Sequence, residues 1–389
     1  MRIGIIGFGG AGRAHYSYFS CIPGCTVTKV YDPKPAGLQR AAAMIPGVTC
    51  CDSLEEFWKD LDAVTVCSPD STHADYIVGA IDHGLPVLCE KPLTDSLEGI
   101  RKIVAAAAKA KTTVAVLHQM RHTHMNEAAR NLISSGELGA ISLMEGYYVH
   151  NLVTRSWLYD DWRRTDNATP MVYAGCHFVD LLRWYAGGKQ MVEVYAAANH
   201  MAFPEYPESD LNIGIFRFDN GMLGKVLVSF GSACAQDHSI RIYGNKACID
   251  NNLLLRHDGT RIKKFHKPKL VQRVLLNDPV RMNGHLLKTQ LKWNGRAVLA
   301  GALFELLERV GPPAEFEYGV RHYPIRLYEH AEACVLAVQD FIDTATGKKA
   351  TPMVDVTESS RTVLACLAAV DSYRSGKPAA VKRLEEVVA

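Results

Sequence analysis

The residues with chemical potential cluster at places where apolar runs end. "GFGGAG" sets glycines at 7, 9 and 12, directly after "RIGII" and at the start of a helical pattern. Gly7 allows a tight turn, Gly9 lets the backbone approach a pyrophosphate, and Gly12 lets helix and strand pack closely. Phe8, Gly10 and Ala11 share that turn, and amides opening a helix face an anion. Asp32 follows the second apolar run, twenty residues after Gly12. A carboxylate there accepts hydrogen bonds from the hydroxyls of an adenosine ribose. It repels a 2′-phosphate, which favours NAD over NADP, while Lys34 nearby keeps NADP open.

"VLCEKPLTD" (87–95) ends an apolar run in adjacent Glu90 and Lys91, with Pro92 straight after. A solvated turn is the plain reading; charges facing a cleft at a strand tip is the other. "CSPDSTH" ends an earlier run with Ser68 and Pro69, and His73 opens the next helix. In doubly wound sheets ligands bind beyond the carboxyl ends of the strands, so these loops and the glycine turn share one crevice. Lys91, partly desolvated beside a positively charged nicotinamide, is expected to lose proton affinity. "HQMRHTH" brings His118 and Gln119 to another strand tip, suited to the nicotinamide pocket. His118, His122 and His124 have no Cys, Asp or Glu nearby to complete a ligand set, so no metal is expected.

"VYAGCHFVDLLRWYAGG" reads as a helix ending at a glycine pair. Its His177 lies on an apolar face, where a lone histidine is usually a satisfied core residue. Tyr173 and His177, at i and i+4, share a helical face. Asp180 either orients the imidazole or is a helix-surface acid. "WLYDDWRR" adds Trp157, Tyr159, Trp162 and Arg163 in a loop; aromatic faces suit the C–H face of a sugar ring, and loop packing or a subunit contact serves Trp157 and Tyr159 equally well.

The elements that position these residues follow from periodicity. "RIGIIG", "TVTKVYD", "DAVTVCS", "PVLCE" and "TTVAVLH", with "VTCC" weaker, are apolar runs separated by helical patterns. Such runs suit strands covered on both faces, so residues 1–121 read as a doubly wound parallel sheet that binds a dinucleotide. Residues 122–389 read as an α+β domain for substrate and oligomer contacts, with a large open, mostly antiparallel sheet. "ISLMEGYYVH", "MVEVYAAANH", "LNIGIFRF" and "GMLGKVLVSF" are its longer strands, with a hairpin turn at Asp219-Asn220-Gly221. The tail from Tyr328 reads as helices. Residues 251–330 are irregular and basic, a solvated face by the plain reading, with an anionic partner or subunit contact as the alternative.

The chain has 389 residues, 48% hydrophobic and 22% charged, with net charge +2. That balance gives no reason to expect nucleic acid as a partner. No apolar stretch reaches bilayer length and no secretory signal is expected, so no membrane association is expected. The eleven cysteines are scattered without a C-x-x-C pair. Cys67, Cys89, Cys176 and Cys366 read as small buried hydrophobes, and a reduced cytoplasmic setting is expected.

Together "GFGGAG", "DAVTVCSPDSTH", "GLPVLCEKPLTDSLEGI", "SGELGAI" and "GCHFVDLLRWYAGG" resemble the glucose–fructose oxidoreductase / inositol dehydrogenase / rhizopine-catabolism (Gfo/Idh/MocA) family. The resemblance implies a Rossmann domain followed by an open-sheet α/β domain, and redox with NAD or NADP at carbons of sugars, inositols or their derivatives. It implies that Lys91 and His177 are the family's catalytic lysine and histidine, that Trp162 and Arg163 lie near substrate or cofactor, and that the open sheet forms a homodimer or homotetramer. Many members carry an aspartate four residues before the histidine; here that residue is Tyr173, which leaves the base to be drawn from His177, Tyr173 and Lys91. Two other readings stay open: transient oxidation by tightly held NAD during glycoside processing, and a non-catalytic sugar or nucleotide sensor.

Overall fold

The structure, a computed structural model, describes residues 1–110, 112–153, 169–233, 237–251, 253–256, 261–262 and 323–388. The early apolar runs form β1 (Arg2–Ile6), β2 (Thr26–Tyr31), β3 (Thr49–Cys51), β4 (Ala63–Val66), β5 (Val87–Cys89) and β6 (Val114–Val116). They pair in parallel in the order β3-β2-β1-β4-β5-β6. Every residue of β4, β5 and β6 is buried, as strands covered on both faces must be. The covering helices on the way are α1 (Gly10–Phe19), α2 (Pro35–Met44), α3 (Leu54–Phe57), α4 (His73–Asp82) and α5 (Leu97–Lys109). Ser53 and Ser96 start α3 and α5 by accepting the amides of Glu56 and Gly99, bonds each helix cannot make internally. Strand order reverses between β1 and β4, which opens a crevice beyond their carboxyl ends.

After α6 (His124–Ser134) the chain builds a second sheet from β7 (Ile141–Val149), β8 (Met191–Asn199), β9 (Leu211–Phe218), β10 (Leu223–Ser229), β11 (Asp237–Gly244), β12 (Ala247–Asp250), β13 (Leu253–Arg256), β14 (Arg261–Ile262) and β15 (Ala379–Ala380). Its order is β14-β13-β12-β11-β7-β10-β9-β8-β15, antiparallel except where β10 pairs β7 in parallel. β9 and β10 form the hairpin expected at Asp219-Asn220-Gly221. Strict alternation buries Val194, Phe216, Val226 and Ile242 on one face, beneath α7 (Cys176–Tyr185) and α9 (Val356–Ser375). The other face shows Tyr195, Ile215, Leu223 and Tyr243 to solvent, Tyr195 at 52%. The fold class is the one read from the sequence.

The C-terminal helices join the two sheets. α8 (Tyr323–Ala345) sends Val335, Val338, Phe341 and Ile342 into the core around Ile3, Ile5 and Phe19 of the parallel sheet. α9 places Val363 and Leu364 against that sheet's other side, and Ala365, Ala369 and Val370 in the core of the second. Burying each such branched side chain is worth about 1.5–3 kcal/mol, so this tail is part of both cores. α10 (Leu384–Val388) closes over α5. Among the described residues no helix is long and apolar enough to cross a membrane, and each described cysteine is a free thiol. Trp157, Tyr159, Trp162, Arg163 and most of the basic 251–330 segment lie outside the described residues.

Candidate active site

The glycine turn has the features a dinucleotide seat needs. Gly7 has φ +84°, and its amide donates to Tyr31 O at 2.8 Å. A side chain at Gly12 would place Cβ 2.1 Å from Gly7 O, whereas one at Gly9 or Gly10 would meet nothing within 4 Å. The turn is thus tight on its inner side and open on its outer side, where α1 begins without a side-chain cap. Free amides at that helix end fit a pyrophosphate. Asp32 accepts from Phe8 N at 2.8 Å and from Lys34 N at 2.9 Å, so two amides hold its carboxylate beside the turn. Phe8 itself is a core side chain and offers only its main chain.

On the neighbouring tips, the Thr72 hydroxyl binds Ser68 Oγ at 2.7 Å and Pro69 O at 2.8 Å, closing the loop after β4. Buried His73 spans Ser68 O and Pro92 O, each 2.9 Å from a ring nitrogen, and so braces the loops after β4 and β5 from behind. Glu90 Oε2 accepts the Lys91 amide at 3.0 Å, and Oε1 lies 3.0 Å from Nε2 of buried His15. Burial disfavours both charges, but His15 and Lys91 draw the Glu90 carboxyl down to about 2, while Cys67 and Glu90 lift His15 to about 10.

Lys91 Nζ crosses from the first sheet to donate to Tyr173 O at 3.1 Å, and lies 4.2 Å from the centre of the Tyr173 ring. Burial opposes its charge, yet Tyr173, Cys176, Glu90 and Tyr148 outweigh it and hold the ammonium above the usual lysine range. The protein's own groups therefore reverse the lowered proton affinity expected from sequence.

His177 follows at the start of α7. The residues before it, Met171–Gly175, form a wide π turn, so Tyr173 and His177 do not stack as an ordinary i, i+4 pair. Tyr173 packs edge-on to Phe230 under Lys91, whereas His177 lies parallel to Tyr148, centroids 5.5 Å apart at 4°. His177 is 5% exposed and its Nδ1 has no hydrogen-bond partner. Burial, then Lys91, His118, His238 and His330, push its pKa well below the ordinary value, so the ring is neutral at neutral pH. The other face of this cluster holds His150 and His238, each stacked on Tyr148, with their Nε2 atoms 2.7 Å apart.

Asp180 does neither of the things its spacing suggested. It is 1% exposed and takes two hydrogen bonds from Arg121, at 2.8 and 2.7 Å, with Thr362 of α9 adding a third. His118 is equally buried, bonded to Ser359 at 3.1 Å, and held down at about 4 by burial and by Arg121, Lys91 and Arg183 despite Asp180. Its contacts are those of a joint between β6, α7 and α9. Gln119, also buried, lies 3.5 Å from His330 Nδ1. Among the described residues no group of three or more His, Cys, Asp or Glu is arranged to hold a metal ion.

Sequence reading missed His15, Tyr148, His150, His238 and Arg121. The strand alternation in "YYVH" puts Tyr148 and His150 on one face, and His15 sits one helical turn past Gly12; both were signals present in the chain. His238 arrives only through the β7–β11 register, which pairs it with Tyr148.

Residues 1–118 match the family model described as an oxidoreductase family with an NAD-binding Rossmann fold, and residues 126–250 match that of the GFO/IDH/MocA C-terminal domain. The chain is 26% identical over 254 residues to the inositol 2-dehydrogenase of Rubrobacter xylanophilus, across 64% of this chain and 70% of that one. It is 33% identical over 190 residues to the inositol 2-dehydrogenase of Klebsiella pneumoniae, across 47% of this chain and about half, 54%, of the relative. The solved myo-inositol 2-dehydrogenase of Lactobacillus plantarum shares the fold, with a TM-score of 0.74 and 16% identity over 98% of this chain and 99% of that one.

Proposed function

Since the chain belongs to the GFO/IDH/MocA family of oxidoreductases, we propose that it transfers hydride between NAD and a carbinol or ketone carbon of an inositol, sugar or sugar derivative. Residues 1–121 serve as its nucleotide-binding part, and 122–389 bind substrate and form the oligomer. Gly7 to Gly12 seat the pyrophosphate and Asp32 the ribose. Ser68, Pro69, Lys91 and Gln119 line the rest of the crevice, with His73, Glu90 and His118 bracing it. Tyr173 and His177 meet the substrate beside Lys91; the roles of Trp162 and Arg163 rest on the family resemblance alone.

When bound, nicotinamide accepts the hydride in alcohol oxidation and returns it in the reverse direction. His177, neutral and with Nδ1 unpartnered, takes the hydroxyl proton. Lys91 stays charged and stabilises the oxygen as negative charge develops there. Tyr173 supplies a carbonyl and a ring face that hold the ammonium in place. The observation that carries this reading is the reach of Lys91, from the nucleotide edge of one sheet, to the turn that delivers His177.

A panel of inositols and sugars incubated with NAD and followed at the NADH absorbance band tests it. Polyol-dependent NADH formation is expected. Turnover without net NADH would indicate transient oxidation in glycoside processing instead, and a bound but unreacted polyol would indicate a sensor. The solvent-exposed Tyr195, Ile215, Leu223 and Tyr243 favour a homodimer or homotetramer formed through the open sheet, and the free thiols among the described residues suit a reduced, cytoplasmic setting. A monomer in sedimentation analysis would contradict that assembly.

A further inference from the structure

We propose that His15 is a positioning residue: as an imidazolium it clamps Glu90, fixes the main chain at Lys91, and so ties the helix of the glycine turn to that lysine. The role rests on the reading of Lys91 given above.

The proton count argues for the charge. Leu88 O can only accept, and Thr65 Oγ1 lies 3.1 Å away with one hydroxyl proton to give; Cys67 Sγ, 3.8 Å from the same hydroxyl oxygen, can donate its own thiol proton to it. With its proton given to Leu88 O, Thr65 accepts from His15 Nδ1 at 2.7 Å, the arrangement in which Nδ1 carries hydrogen. Nε2 faces Glu90 Oε1 at 3.0 Å, and an ionised carboxylate only accepts, so Nε2 carries hydrogen too. The ring is fully buried. Its other titratable neighbours are Cys67, at the end of β4, and Tyr18 on the same helix, 5.9 Å away between ring centres. Glu90 is therefore held at both oxygens, one by His15 and one by the Lys91 amide. Lys91 leaves a main chain anchored in this way before its side chain reaches Tyr173. A buried charge left without its partner is strongly disfavoured, so the two must be kept together.

Histidine-selective nitrogen labelling of the full chain, with His15→Gln to assign the signal, reads the charge directly. Both ring nitrogens of His15 should be protonated at pH 8; a neutral tautomer at that pH overturns the proposal. With a polyol that turns over, His15→Gln should lower kcat about tenfold or more while KM for the polyol changes little. In a Lys91→Ala background the same substitution should change kcat less than about twofold. No loss in the first background, or an equal loss in both, overturns the role. If His15→Gln does not fold, Glu90→Gln replaces it and should leave His15 neutral at pH 8 and lower kcat; an imidazolium that persists there contradicts the clamp. Full turnover by Lys91→Ala alone removes the reading of Lys91, and the role of His15 with it, but leaves the measured charge of His15 standing.

Discussion

The Lys91 ammonium lies 3.1 Å from the main-chain oxygen of Tyr173 and 4.2 Å from the centre of its ring, joining segments 82 residues apart. Where many relatives place an aspartate, this chain offers a neutral carbonyl and an aromatic face. Both favour a charged lysine without adding a carboxylate that could take a proton. In the proposed reaction the base is then His177.

Tyr173→Phe keeps carbonyl and ring, so kcat should stay within about threefold of the parent. Tyr173→Ala removes the ring face and should cost about tenfold, the scale of one cation–π contact. A loss of about a hundredfold or more in Tyr173→Phe would make the phenol the acid–base group.

Stability should fall with acid. His118, at about 4, and His177, well below the ordinary value, refuse protons in the fold that the unfolded chain accepts near pH 6.5. As pH drops through that range the unfolded state binds more protons, and each histidine costs up to about 1.4 kcal/mol per pH unit. His15 acts oppositely: its contribution is full below about pH 6.5 and is lost as pH rises through about 10. Glu90 contributes above about pH 4.3 and loses its share only as pH falls through about 2. Urea midpoints should therefore drop markedly from pH 6.5 to 4.5, and a flat profile there would contradict the neutral histidines.

The glycine turn separates folding from binding. Gly12→Ala drives Cβ into Gly7 O, so it should lower Tm and abolish nucleotide binding together. Gly9→Ala meets no protein atom, so Tm should hold while the Kd for NAD rises at least about tenfold. Calorimetry on both variants decides; unchanged NAD affinity in Gly9→Ala would put the pyrophosphate elsewhere.

Asp180→Asn should cost about 1–3 kcal/mol by denaturant titration, because it leaves the buried Arg121 guanidinium with Glu358 as its one carboxylate partner among the described residues. A cost below about 1 kcal/mol would mean that the pair is not what ties α7 to the turn after β6.

How much of this was legible in the chain follows from how local each signal is. The parallel sheet was readable because unbroken apolar runs, Gly7-x-Gly9-x-x-Gly12 and Asp32 encode strand, turn and helix within thirty-odd residues. Glu90 and Lys91 were readable as charges where a strand must end. Asp180 was misjudged because its partner Arg121 lies 59 residues away, and no helical spacing reveals it. The π turn before Cys176 was equally silent, since it depends on how Met171–Gly175 pack under Lys91 and Phe230. α8 returning to the first core, and His238 reaching Tyr148, are products of topology rather than of any nearby pattern.

The most direct test is single-turnover hydride transfer in Lys91→Ala with a polyol that the parent enzyme oxidises, NAD binding having been checked by titration. The rate should fall by about a thousandfold while the Kd for NAD stays within about threefold. Transfer at the parent rate would contradict the account.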